Sequence, residues 1–374
     1  MNRYVKALDG LRAIAVTLVM LYHLGTYKLG GLTIEFGWVG VQLFFVLSGF
    51  LITQILINDR DQALGDYLKR FYWRRSLRIF PLYFLYLLIV TAMFVASKQP
   101  VKFVEQAPYL FTYTYNFSSL TGAWYHSAFL THLWSLSVEE QFYLVWPFLI
   151  YFLPHRWLKR LVVVLILAGP LFRWWLARWL GPEAMPETLY WFTLTHLDAF
   201  ATGAAMVVFG RYFLRQVGKW AWLAVLLGLV AGVANGWYWS GPLPFDWTSL
   251  GYPIAHMGHY QHLWSYSLLN IASAFVILWA TQLPESHWLA SRPLVAIGKV
   301  SYGMYVYHWC ILAMVVRAYK ALGGENYGSV GVLFLFVGYY GVLYGVSYLS
   351  FGWFEARFIQ LKDRFFKKAP VSQL

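Results

Sequence analysis

Arg12 and His23 stand in the stretch DGLRAIAVTLVMLYH (9–23), two ionisable groups on an otherwise apolar run. Eleven residues at about 100° each come to about 20° past three helical turns. Both side chains therefore share one helix face, about 16 Å apart along its axis. A guanidinium at one end can hold an anion, and a neutral imidazole inside a membrane can take a proton. The milder reading of Arg12 is a cation that snorkels to the surface and pairs with Asp9 three residues earlier. His23 has no such easy account, because an ionisable group within a membrane is by default a functional candidate.

Three arginines follow in FYWRRSLRIFPLYF (71–84). Arg74 and Arg78 are four apart, Arg75 and Arg78 three apart, so they neighbour one another on a helix. Such a fork suits phosphate oxygens, although anchoring to lipid headgroups accounts for the same residues. In HLWSLSVEEQFYLVWP (132–147), Glu139 and Glu140 lie near the start of an apolar helix, with Ser135 or Ser137 as its N-cap. Neighbours on a helix differ by about 100°, which gives the two carboxylates different jobs. His196 and Asp198 in LTHLDAFATGA are two apart and point to different sides. So do His308 and Cys310 in VSYGMYVYHWC; Cys310 is the only cysteine and reads as a small packing residue. His256, His259 and His262 in HMGHYQH have a spacing that can bring two imidazoles to one metal, but no acidic or cysteine neighbour supports it, and no metal is assigned.

The elements that must position these groups are membrane helices. The chain is 60% hydrophobic and 12% charged, about half the charged share of a soluble domain, and its mean hydropathy is +0.52. Apolar runs of membrane-spanning length recur throughout, which predicts an all-α polytopic membrane protein and excludes an alternating β-barrel. Ten spans are expected, at about 8–26, 36–57, 79–97, 134–153, 161–179, 190–210, 220–240, 263–281, 300–318 and 328–350. Most of the 29 Lys and Arg residues fall in alternate connections and at both ends, placing the N- and C-termini in the cytoplasm. That distribution makes the net charge of +13 a topology signal and not a nucleic-acid footprint. Residues 1–357 read as one transmembrane domain and 358–374 as a basic cytoplasmic tail. The aromatic segments 98–133 and 241–262 belong outside, as interfacial anchors or as rings on which a sugar can stack.

These stretches, in this order, resemble the signatures of the acyltransferase-3 family of membrane O-acyltransferases. The resemblance rests on Arg12 to His23, VGVQLFFVLSGFLIT (39–53), RRSLRIFPLYF (74–84), LWSLSVEEQFYLVWP (133–147) and IGKVSYGMYVYHW (297–309). It implies an inner-membrane enzyme that moves an acyl group, usually acetyl, from cytoplasmic acyl-CoA to a hydroxyl of an envelope carbohydrate or lipid-linked glycan. It implies no permanently bound cofactor; acetyl-CoA is the donor substrate. Carried over to this chain, Arg12, His23, Arg75, Arg78 and Glu140 are its functional residues, with Glu139 and Arg74 as neighbours. The expectation is that CoA phosphates dock on Arg75, Arg78 and Arg74 with Arg12 nearby. His23 then acts as general base, oriented by Glu140, while Asp198, His196 and His308 serve the acceptor side. Where the family often has Arg-x-Asp, this chain has His196-Leu197-Asp198, so His196 is expected to stand in for a cation. Relatives also often show Glu-x-Pro where Glu355-Ala356-Arg357 occurs here. The rival reading is a transporter of a sugar, a lipid-linked glycan or protons, which would use the same intramembrane groups as a relay. The sequence shows no internal repeat of the kind transporters carry, and the ordered motifs favour the enzyme.

Overall fold

A computed structural model of the chain describes residues 4–27, 34–97, 100–121, 124, 127–181, 186–210, 220–240, 246–253, 260–324 and 328–361. His256, His259, the basic positions 211, 215 and 219 and the tail beyond 361 lie outside these residues. The described residues are helical, with no strand, as a chain that must satisfy its backbone inside lipid requires. In order they form α1 (Lys6–Gly25), α2 (Val39–Asp59), α3 (Leu64–Ala96), α4 (Pro100–Phe111), α5 (Trp134–Phe152), α6 (His155–Leu180) and α7 (Pro186–Trp191). There follow α8 (Leu197–Val208), α9 (Ala221–Ser240), α10 (Gln261–Ala280), α11 (Arg292–Ala321) and α12 (Gly328–Ser350). A π-helical segment, Phe351–Glu355, joins α12 to α13 (Ala356–Gln360).

Among the described residues, seven helices are long and apolar enough to cross a membrane: α1, α2, α3, α6, α9, α10 and the continuous run from α12 to α13. The protein is multi-pass. The other three of the ten expected spans are helical but depart from that composition. α5 and α11 are long enough, at 19 and 30 residues, yet carry the glutamates, serines, tyrosines and histidine that make them too polar. The sixth is broken: a 3-10 turn at Thr193–His196 precedes a 12-residue α8. α5 also starts earlier than a serine cap would place it. Its N-cap is Leu133, and Ser135 and Ser137 instead donate back to the carbonyls of His132 (3.2 Å) and Leu133 (3.3 Å).

α1 and α2 form the centre, with 61% and 67% of their most apolar windows buried; α6 and α9, at 22% and 17%, form the rim. Rim residues such as Val164 and Leu167 are exposed, which in a bilayer means lipid contact. The most extensive pairings are α2 with α8 and α1 with α11. The second needs a glycine: a Cβ at Gly298 would lie 1.9 Å from the Asp9 carbonyl oxygen. That close approach sets α11 along α1. α3, at 33 residues about 50 Å long, exceeds a hydrocarbon core of about 30 Å. Its arginines thus sit on the same continuous helix as its apolar half.

Candidate active site

Five helices surround a cavity with about 740 Å³ of empty space. Arg12 of α1, Arg75 and Arg78 of α3 and Glu139 of α5 line it, together with Ser48 of α2 and Tyr305 of α11. The fork expected on α3 is therefore divided, and Arg74 and Glu140 do not line the cavity. Arg12 keeps its near partner, with Nη1 2.7 Å from Asp9 Oδ1, while the other Asp9 oxygen accepts from Tyr4. Glu139 accepts from Ser48 Oγ at 2.8 Å and from the Tyr143 hydroxyl at 3.3 Å. The Arg75 guanidinium stands 5.2 Å from the centre of the Tyr143 ring. Among the described residues neither Arg75 nor Arg78 has an ion pair. Three arginines and one carboxylate, Glu139, line this open space, and that excess of positive charge is the electrostatics of an anion site. Glu140 lies within electrostatic reach of Arg75, Tyr72, Tyr83, Tyr113 and Tyr302, and its Oε1 is buried without a hydrogen-bond partner among the described residues.

Tyr305 links this cavity to a second cluster. Its hydroxyl meets Ser135 Oγ at 2.5 Å and donates to the His132 carbonyl at 3.0 Å, and its own carbonyl lies 2.5 Å from His308 Nδ1. A carbonyl can only accept, so His308 Nδ1 carries the proton and, in the neutral ring, Nε2 accepts. His308 Nε2 is 3.1 Å from His23 Nδ1, which is then the donor. This hydrogen-bond order leaves His23 Nε2 as the basic nitrogen. His23 is half-buried in the last turn of α1; His308 is fully buried. Trp309 packs on His23 with ring centres 4.8 Å apart. His132 completes the cluster at 4.8 Å from the His308 ring, its Nε2 donating to Val306 O at 3.1 Å. Among the described residues no hydrogen bond joins Glu140 to His23. The group that meets His23 is His308, a residue that sequence analysis assigned to the acceptor side.

Asp198 and His196 belong elsewhere. Asp198 is gripped by Arg173 of α6, Oδ1 at 3.1 Å from Nη1 and Oδ2 at 2.8 Å from Nη2, and both residues are within 1% of full burial. Arg173 also donates to the Thr195 and Leu263 carbonyls and to Ser267 Oγ, and Ser267 donates to Asp198 at 2.6 Å. The cation role expected of His196 thus falls to Arg173. His196 instead contacts the Tyr190 carbonyl at 2.5 Å and Gln42 Nε2 at 3.2 Å, so it and Asp198 do face different partners. Sequence reasoning passed over Arg173 because it lies 25 residues from its partner, and passed over His132 although an imidazole in that apolar stretch was itself a signal.

The family model for an acyltransferase domain, acyltransferase-3, matches residues 5–352. Peptidoglycan O-acetyltransferase OatA of Listeria monocytogenes is 31% identical over 336 residues, which cover 84% of this chain and 50% of the relative. O-acetyltransferase OatA of Staphylococcus aureus is 29% identical over 329 residues, covering 85% and 52%. The chain spans about half the length of these curated relatives, and no solved structure matches it. A match over nearly the whole chain, on helices that bring Arg12, Arg75, Arg78 and Glu139 around one cavity, makes this protein a member of the acyltransferase-3 family.

Proposed function

We propose that the protein is an O-acyltransferase of the inner membrane, with both termini in the cytoplasm, that transfers acetyl from acetyl-CoA to a hydroxyl of an envelope carbohydrate. The observation that carries this reading is the cavity lined by Arg12, Arg75 and Arg78 and by Tyr305, whose carbonyl contacts the His308–His23 pair. In this reading Arg75, Arg78 and Arg12 hold the CoA phosphates by charge-assisted hydrogen bonds. Glu139 fixes the Tyr143 hydroxyl and, through the Tyr143 ring, the position of Arg75. The pantetheine arm then runs along the face of α1 that Arg12 and His23 share, so that the thioester comes up to His23.

The transfer itself needs one base. His23 Nε2 takes the proton of the acceptor hydroxyl as its oxygen bonds to the thioester carbonyl carbon. The carbon–sulfur bond breaks, and the departing thiolate takes the proton from the imidazolium. His308 holds His23 Nδ1–H throughout and so fixes the tautomer, the part that a carboxylate plays in a catalytic triad. Peptidoglycan is the first acceptor to try, because the Listeria relative bears that name. The test is CoA-thiol release from acetyl-CoA by purified protein in nanodiscs, with and without glycan strands, beside His23→Ala. Glycan-stimulated release that disappears in the variant supports the reading. Folded wild-type protein that releases no thiol with any of a panel of glycans and acyl-CoAs overturns it.

A further inference from the structure

At the end of the bundle where α1 and α11 begin and α12 ends lies a second groove, with about 840 Å³ of empty space. Lys6, Arg292 and Lys299 line it, above apolar walls that include Val295, Val300 and Phe351. We propose that this groove binds one anionic phospholipid, its phosphate between the three cations and its acyl chains along the apolar walls. The catalytic reading has no use for these residues, and none of them lines the active-site cavity.

Charge is the first argument. Arg292 and Lys299 are exposed, and among the described residues neither has an ion pair. Lys6 meets Glu285 at 2.7 Å, but that pair is about half exposed, the kind that contributes little and yields readily to another anion. Depth is the second. The exposed rings of Trp288, Tyr348 and Trp353 gather at this same end, where membrane proteins keep aromatics at headgroup level. Shape is the third. A free phosphate would use the cations and leave the apolar walls bare, while a zwitterionic phospholipid would bring its own cation against Arg292 and Lys299. An anionic phospholipid satisfies both parts, as basic pockets between membrane helices do elsewhere. Lys6 is one turn before Asp9, which holds Arg12, so the bound lipid would steady the end of α1 that supplies the active-site guanidinium.

The experiment compares the wild-type chain with Arg292→Gln/Lys299→Gln in nanodiscs of phosphatidylcholine alone or with phosphatidylglycerol added. Lipid retained on release into native mass spectrometry and the thermal unfolding midpoint are both read. The wild type should retain one phosphatidylglycerol and unfold at higher temperature when it is present. The double variant should lose more than about tenfold of that retention and all of the thermal gain, with its midpoint in phosphatidylcholine unchanged. Equal retention by the two proteins, or an equal thermal gain with phosphatidylcholine or inorganic phosphate, overturns the proposal. Neither readout involves acyl transfer, so this inference and the catalytic reading can fail separately.

Discussion

Two polar clusters lie inside this bundle, and they are built on opposite principles. Around Asp198, both carboxylate oxygens and both Nη groups of Arg173 are engaged, and three helices and a 3-10 turn are tied together in a site with almost no exposure. Around the arginine-lined cavity, Arg75 and Arg78 stand without ion pairs beside open space, and the lining residue Tyr305 contacts a histidine pair outside it. A buried, closely paired ion pair in a low-dielectric interior holds helices together, and losing one partner strands the other. Cations that outnumber the carboxylates beside a cavity, with no direct ion pair, leave room for an anionic ligand to complete them. In the proposed reading the difference separates residues that build this membrane domain from those that use it, although both sets read alike in sequence as intramembrane charges.

The comparison can be broken most directly at His23. His23→Ala should lower kcat by about 10²–10⁴-fold, the usual worth of a general base, with an unchanged unfolding midpoint. A variant that transfers acetyl as fast as the wild type would remove His23 from the chemistry. Arg173→Leu should do the reverse. It strands Asp198 and costs about 3–5 kcal/mol of stability, and adding Asp198→Leu should restore most of the folded protein. If Arg173→Leu unfolds no more readily than the wild type in detergent, the paired cluster is not the structural one.

Arg75→Gln and Arg78→Gln should each raise KM for acetyl-CoA by about 10–100-fold with a smaller change in kcat, as loss of a charge-assisted contact to phosphate predicts. An unchanged KM would leave them as headgroup anchors. The smallest effect sharpens the histidine pair. His308→Leu should lower kcat roughly tenfold or more without altering KM, and His308→Gln, which keeps an acceptor for His23 Nδ1–H, should recover part of that loss. If Leu and Gln behave identically, the pair does not set the tautomer.

The polar residues of α5 and α11 explain why ten spans are expected from the sequence while seven described helices are long and apolar enough to cross a membrane. A helix that contributes Ser135, Glu139 and Glu140, or Tyr302, Tyr305 and His308, to the interior loses the mean apolarity that marks a lipid-facing span. α6, at the rim, keeps that apolarity while hiding Arg173 on its one buried face. The same effect hid the origin of the Asp198 partner. The departure from Arg-x-Asp at His196 left the motif without a cation, and Arg173 is the cation that pairs with Asp198. A linear motif had no way to find that cation on the preceding long helix.

By itself, the sequence determined what spacing along one helix can determine. Apolar runs required membrane helices, and 3.6-residue periodicity put Arg12 and His23 on one face and made neighbours of the arginines of α3. The ordered motifs named the family. Tertiary structure decided which of those groups meet. It sent Arg75, Arg78 and Glu139 to a common cavity, left Glu140 out of that lining and joined His23 to His308 across 285 residues of chain. It also closed Arg173 on Asp198. The physical reason is that periodicity fixes the direction of a side chain about its own helix axis. The partner in that direction depends on close approaches such as Gly298 against Asp9, which set one helix along another and have no period to reveal them.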